Sequence, residues 1–220
     1  MANTENSQIL FKALEAALDL AETRKWGSIT LIEIASKAGV TLQELYALDG
    51  RDAVTDAFER WADQAMLTED IDMDDTPRER LFEALMRRFE HMEPRRSGIT
   101  SLMTARDRMP ARRLALLSAR RRTARWALIS AGLDRTGGAE RTLSEIGLVW
   151  VLRRSEKAWQ SEPDETFTRT MATLDDELAQ MEDRLKSLQG LFSRKASGNE
   201  HSTEADSTSP EAPQAASHPA

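Results

Sequence analysis

Ile29-Thr-Leu-Ile-Glu-Ile-Ala-Ser-Lys-Ala-Gly-Val-Thr-Leu-Gln-Glu-Leu-Tyr46 holds two short helices and the turn between them. Thr30-Leu-Ile-Glu33 and Thr41-Leu-Gln-Glu44 each fit a capping box. In that motif the threonine oxygen accepts the third amide of the helix and the glutamate reaches back to the cap. Between them Lys37-Ala38-Gly39-Val40 supplies a glycine for the positive φ of a tight interhelical turn, then a valine to fill the core beneath it.

Outward from this stretch the apolar period remains helical. On the N-terminal side, a helix over about residues 7–24 carries Ile9, Leu10, Leu14, Ala17, Leu18 and Ala21 on one stripe, closed by Trp26-Gly27. On the C-terminal side, after Asp49-Gly50, a fourth helix places Val54, Phe58, Trp61 and Ala65 together. Glu69 to Asp75 holds five acids and no base, and reads as an acidic linker over 68–76. Pro77 suits the first turn of a helix that Pro94 stops. Further helices are predicted near 97–107, 110–131, 138–160 and 164–189. From about residue 192 to 220 the composition turns to Ser, Glu, Pro, Ala, Thr and His without apolar period, the pattern of a disordered tail. One tyrosine, few valines and no alternating runs argue against sheet, so the class is all-α, with about nine helices.

The whole chain excludes several functions. Its 220 residues carry 30 Lys and Arg against 37 Asp and Glu, a formal charge of −7, so nucleic acid cannot be held by bulk charge. No cysteine is present, and His201 and His218 fall in the tail, which leaves His91 as the sole core imidazole. Neither a metal cluster nor a histidine triad is expected, and no cofactor. His91, beside Glu90 and Glu93, reads as an exposed histidine at a helix end. No nucleophile–base pair or phosphate loop stands out, so the chain does not read as an enzyme. No apolar run approaches a membrane span, and the polar start, Met1 to Ser7, is not that of a secretory signal; a cytoplasmic protein is expected.

The stretch 29–46, with Ala13, Ala16, Ala17 and Leu18 before it, the Ile34-Ala35-x-x-Ala38-Gly39-Val40 turn and the Leu45-Tyr46 pair, resembles the helix-turn-helix of the TetR family of bacterial repressors. The likeness covers roughly the first 66 residues. It implies an N-terminal DNA-binding domain over 1–67 and a helical effector-binding and dimerisation domain over 77–191. It further implies a homodimer on a double-stranded DNA operator, released by a small apolar or anionic effector. The second short helix would enter the major groove. Thr30, Thr41, Leu42, Gln43, Tyr46 and Arg51 are the DNA-facing candidates. Gln43 suits adenine and Leu42 a thymine methyl, while Thr41, Tyr46 and Arg51 suit phosphate. Residues 1–66 carry six bases and eleven acids, a net of −5, so affinity per subunit should be low and depend on pairing two heads. A non-DNA-binding lipid-binding accessory protein, of the kind found in ubiquinone biosynthesis, shares the fold and is the alternative reading.

In the larger domain, Met86, Phe89, Leu102, Met103, Leu117, Trp126 and Ile129 sit on helices that in this family surround an effector pocket; their spacing is also that of ordinary core. Arg95 to Arg125 holds ten arginines and one acid, Asp107. This run reads either as a solvated face or as an anion site built on Arg112, Arg113 and Arg121. Surplus apolar surface on the last two helices marks Ile146, Val149, Trp150, Met171, Leu174, Leu178, Met181 and Leu185 as dimer-interface candidates.

Overall fold

The computed structural model describes residues 2–68, 71–108, 113–134 and 138–200, with side chains over 4–68, 71–108, 115–134 and 138–188. Among the described residues there are nine α-helices and no strand: α1 (Ala2–Ala21), α2 (Leu31–Ala38), α3 (Leu42–Ala47), α4 (Gly50–Asp63), α5 (Pro77–Met92), α6 (Arg96–Asp107), α7 (Arg113–Ser130), α8 (Gly138–Gln160) and α9 (Thr168–Glu200). Single 3₁₀ turns at Trp26–Ser28, Gln64–Met66 and Glu93–Arg95 adjust the helix ends.

α1 is the post around which the N-terminal half assembles. Its stripe Leu10, Ala13, Leu14, Ala17, Leu18 and Ala21 is buried, and α2, α4 and α6 all pack on it. The alanines keep this surface low, so neighbouring backbones approach closely. At the α6 crossing, a Cβ on Gly98 would stand 2.3 Å from the Leu18 carbonyl oxygen. Only glycine fits there. The Gly98 amide donates to Glu22 Oε1 at 2.9 Å, and the Trp26 amide donates to Ser101 Oγ at 2.8 Å, so α6 is stitched to the end of α1.

Both short-helix capping boxes form as the sequence predicts, and a third, Thr76 with Glu79, opens α5 behind Pro77. Gly39 ends α2 at φ 66°, and its amide reaches the Ala35 and Ser36 carbonyls. α4 then buries Val54, Phe58, Trp61 and Ala62, and the Trp61 indole donates to Glu15 Oε1 of α1 at 3.0 Å.

The acidic connection separates two helices but not two compact bodies. α1 lies on α6, and α4 lies on α5 and α7, so Met1–Met181 forms one unit and Glu182–Ala220 another. Arg80 ties the connection down: its guanidinium donates to the Asp75 carbonyl at 2.5 Å and to the Ala131 carbonyl, at the end of α7, at 2.8 Å. In the second unit, Lys186 pairs with Glu182 one turn earlier at 2.7 Å. α9 continues to Glu200, beyond residue 192 where composition predicted the tail. Extending a formed helix costs little per residue, and the sequence has no proline between Thr168 and Pro210 to stop it. Residues 201–220 lie outside the described residues.

Candidate nucleic-acid interface

α3 is a six-residue helix pinned by one buried side chain, Leu45, which leaves Leu42, Gln43 and Tyr46 exposed. Tyr46 is 83% exposed, an unusual position for the chain's only tyrosine. Ile32 on α2 is also exposed, an apolar neighbour that the sequence reading did not single out. These groups offer one amide side chain, one phenol and two aliphatic surfaces, a set suited to base edges.

The phosphate-holding half of the expectation fares differently. Thr30 and Thr41 are exposed, but their hydroxyls donate to Glu33 Oε2 and Glu44 Oε2 at 2.8 and 2.7 Å. Their amides donate to the same oxygens, each at 2.7 Å. The donors that open both helices are thus occupied by carboxylates. Hydrogen bonds from Arg24 and then Thr30 pull the Glu33 carboxyl down to about 2, and those from Thr41 lower Glu44. Both are full negative charges at neutral pH.

Arg51 is turned inward. Its guanidinium donates to the carbonyls of Ile29 and Trp26 and lies 5.6 Å from the Trp26 ring centroid. The expected phosphate clamp is therefore an internal brace. The 3₁₀ turn brings those two carbonyls to the start of α4, and a guanidinium fork satisfies both at once.

The other candidates divide by burial. Met86, Phe89 and Leu102 are buried core, whereas Trp126 and Ile129 face outward on α7, so the seven pocket candidates do not converge. Met103 and Leu117 share a cavity of about 740 Å³ bounded by α6, α7 and α8. Of the anion-site candidates, Arg112 and the Arg113 side chain lie outside the described residues. Arg121 is engaged by Glu145 Oε2 at 3.2 Å, and Arg125 pairs with the same carboxylate at 2.9 Å.

Of the dimer candidates, Leu174, Leu178 and Met181 are buried within the single chain, Met181 directly against Gly147 of α8. Their seam belongs to the intrachain packing, secured by Arg78–Asp175 at 3.1 Å and Arg154–Glu177 at 3.0 Å. Ile146, Trp150 and Met171 remain exposed, while Val149 and Leu185 are half-buried.

The least expected feature is a charge cluster in the interior. Arg88 of α5, with no exposed surface, donates to Glu59 Oε2 at 2.6 Å, Asp63 Oδ1 at 3.2 Å and Glu156 Oε1 at 3.1 Å. Arg106 adds a bond to Glu59 at 2.7 Å and Arg120 one to Glu156 at 2.5 Å. The Thr123 hydroxyl donates to Asp63 at 2.8 Å. Five helices, α4 to α8, thus meet on three cations and three carboxylates. Burial pushes the Asp63 carboxyl up to about 6 against the pull of Arg88. Burial also opposes the charge on Glu59, but Arg106, Arg88 and Arg120 outweigh it and hold that carboxyl low. The sequence carries a signal for this cluster: Arg88 follows Leu81 and Leu85 on their stripe, and Glu156 stands between Leu152 and Trp159 at helical spacing.

Among the described residues no cluster of His, Asp or Glu could hold a metal ion, and no helix is long and apolar enough to cross a membrane. His91 lies against the Trp61 ring, centroids 4.3 Å apart, and burial lowers its pKa.

No protein-family model and no curated protein matches the sequence. Solved structures do match. A TetR transcriptional regulator from Nitrosomonas europaea ATCC 19718 superposes with a TM-score of 0.63 at 21% identity, over 77% of this chain and 95% of that one. Another from Rhodococcus sp. RHA1 gives 0.57 at 18% identity, over 77% and 92%. The likeness runs well beyond the 66 residues in which the motif is legible, and the chain has the fold of these TetR transcriptional regulators.

Proposed function

We propose that the protein is a TetR-like transcription regulator that binds an operator as a homodimer and releases it when a small effector enters the larger helical body. The observation that carries this reading is α3: a capped helix held by Leu45, with Leu42, Gln43 and Tyr46 projecting from it, in a chain with this fold. Exposed Ile146, Trp150 and Met171 support the dimer. Such side chains are scattered singly on monomers, but two on one turn of α8 form a patch suited to a second copy. With Arg51 internal and Glu33 and Glu44 charged, sequence readout by Gln43 and Leu42 outweighs phosphate capture, which is left to Tyr46. The expected signature is a shallow salt dependence for a DNA reader.

The test is selection of duplex DNA from a random pool by the purified dimer, followed by a salt titration on the selected sequence. Gln43→Ala should relax one base position by about 1–3 kcal/mol. A dimer that selects no sequence even at low salt would overturn the regulator reading. The carboxylates at both helix starts favour one second reading, a lipid-binding accessory protein on the same fold. Copurified lipid with no selected DNA would establish it.

A further inference from the structure

The interior cluster contains one carboxyl held differently from the other two. Glu59 is gripped by Arg88 and Arg106, and Glu156 by Arg88 and Arg120, through bonds of 2.5 to 3.1 Å. Among the described residues Asp63 meets a single guanidinium, and it takes the longest of Arg88's three bonds, 3.2 Å. Its other oxygen accepts from the Thr123 hydroxyl of α7 at 2.8 Å. That hydroxyl lies 3.4 Å from a second acceptor, the Ala119 carbonyl one turn back, so its one proton has two places to go. It donates to an ionised Asp63; facing a protonated one, it accepts from Asp63 Oδ2 and turns its own hydrogen to Ala119. Both protonation states are therefore hydrogen-bonded without movement of the backbone. A proton on Glu59 or Glu156 would meet guanidinium donors, which cannot accept it.

Asp63 also stands where a change of charge matters. It is the last residue of α4, whose first turn is braced by Arg51 beside α3 and which packs on α5 and α7. The charges around it come from every helix of the cluster: Glu59 on α4, Arg88 on α5, Arg106 on α6, Arg120 on α7 and Glu156 on α8. His91 of α5, one turn beyond Arg88, sets a second titratable group against α4, at Trp61. With Asp63 ionised, three carboxylates face three cations. Burial nevertheless lifts its carboxyl to about 6; Arg88 and Thr123 pull it down and Glu59 pushes it up. We propose that Asp63 is a proton-operated latch, which in acid fastens the end of α4 to α5 and α7 and at neutral pH lets that junction open to water. The proton comes from solvent and returns to it. A carboxyl that holds its proton more firmly in the closed junction than in water favours closure in acid, and loses that advantage as pH rises through its closed-state value. The latch stands on the cluster alone, and its effect on DNA rests on the regulator reading. There a fastened α4 holds α3 in one place, so less freedom is lost on the operator and affinity is higher in acid.

The experiment is hydrogen–deuterium exchange of the full chain at pH 5 and pH 7.5, corrected for intrinsic rates and resolved by peptide, with circular dichroism to verify each variant's fold. Opening of the last turn of α4 should be about tenfold rarer at pH 5 than at pH 7.5. At pH 7.5 it should be more frequent than global unfolding, which the slowest amides of the chain report. Asp63→Asn should open at both pH values as rarely as the parent does at pH 5. His91→Gln should keep the parent's response, although burial lowers the pKa of His91 as well. Equal opening at both pH values overturns the proposal, as does a response that survives in Asp63→Asn or disappears in His91→Gln. So does a last turn of α4 that exchanges no faster than the slowest amides. If Asp63→Asn does not fold, infrared spectroscopy of the parent decides: a buried protonated carboxyl at pH 5 that is gone at pH 7.5 supports the latch, and none at either value overturns it. On the duplex selected above, parent affinity relative to Asp63→Asn should fall by up to about tenfold from pH 5 to pH 7.5. A constant ratio overturns the regulatory role. A chain that selects no DNA overturns the regulator reading, and the exchange result still decides the latch.

Discussion

Replacing Arg88 with methionine removes the hub of the interior cluster while keeping the length of the side chain. Three contacts disappear, at 2.6, 3.2 and 3.1 Å, but the three carboxylates are not equally stranded. Glu59 keeps Arg106 at 2.7 Å and Glu156 keeps Arg120 at 2.5 Å. Among the described residues, Asp63 keeps only the Thr123 hydroxyl at 2.8 Å. Stranding one member of a buried pair costs about 3–5 kcal/mol, a large part of the roughly 5–15 kcal/mol that holds a domain folded. The loss should depend on pH, with a definite sign. Burial holds the Asp63 carboxyl at about 6, above its value in the unfolded chain. A group shifted in this direction stabilises the fold at low pH, and that contribution is lost as pH rises through the folded value. Without Arg88 the folded value climbs further. The deficit of the variant should therefore grow between pH 5 and pH 8, by about 1.4 kcal/mol for each unit of that climb. Urea unfolding followed by circular dichroism, at one protein concentration and both pH values, measures it. A loss below about 1 kcal/mol at both values, or a larger loss at pH 5, would refute the reasoning.

Three further outcomes are expected. Gly98→Ala places a methyl 2.3 Å from the Leu18 carbonyl oxygen, so α6 must lift off α1; thermal unfolding should register about 1–3 kcal/mol or more, and an unchanged melting temperature would contradict the crossing. Arg51→Ala should lower stability by about 1–3 kcal/mol, because the Ile29 carbonyl loses the guanidinium and the Trp26 carbonyl is left with the Ile29 amide at 3.4 Å; a variant of normal stability with weakened DNA binding would restore Arg51 to the interface. Asp63→Asn keeps a neutral acceptor for Thr123, and should flatten the decline in stability as pH rises from about 4 to 6 that Asp63 imposes on the parent; parallel pH–stability curves would show that Asp63 does not titrate in that window.

Local chemistry was legible in the sequence, and long-range pairing was not. Thr30 with Glu33, Thr41 with Glu44, and Gly39 act within a few residues of themselves, so spacing alone predicts what they do. Arg88 is bonded to a residue 68 positions away, and within its own helix it can only be seen as a charge on an apolar stripe. The brace made by Arg51 depends on two carbonyls, 22 and 25 residues earlier, left accessible by a 3₁₀ turn that no periodicity announces. Leu178 and Trp150 show a further limit. Both lie in apolar runs, but a stripe reveals that a residue seeks cover and not whether its own chain or a second one supplies it. The fold buries Leu178 and leaves Trp150 exposed.

The order in which the charge cluster is written along the chain bears on how the protein is made. Synthesis delivers Glu59 and Asp63 first, Arg88 next, Arg106 and Arg120 after it, and Glu156 last. Until Arg88 leaves the ribosome, the buried face of α4 carries two acids with no cation to meet them, and burying them would be costly. The first four helices can therefore assemble around α1 but cannot close the side of α4 that bears these acids. A nascent chain halted before residue 88 should keep that side hydrated and open to chaperones, and one halted between residues 120 and 156 should carry a surplus of positive charge at its centre. Completion of α8 supplies the last carboxylate, so the cluster should close only once residue 156 has been made.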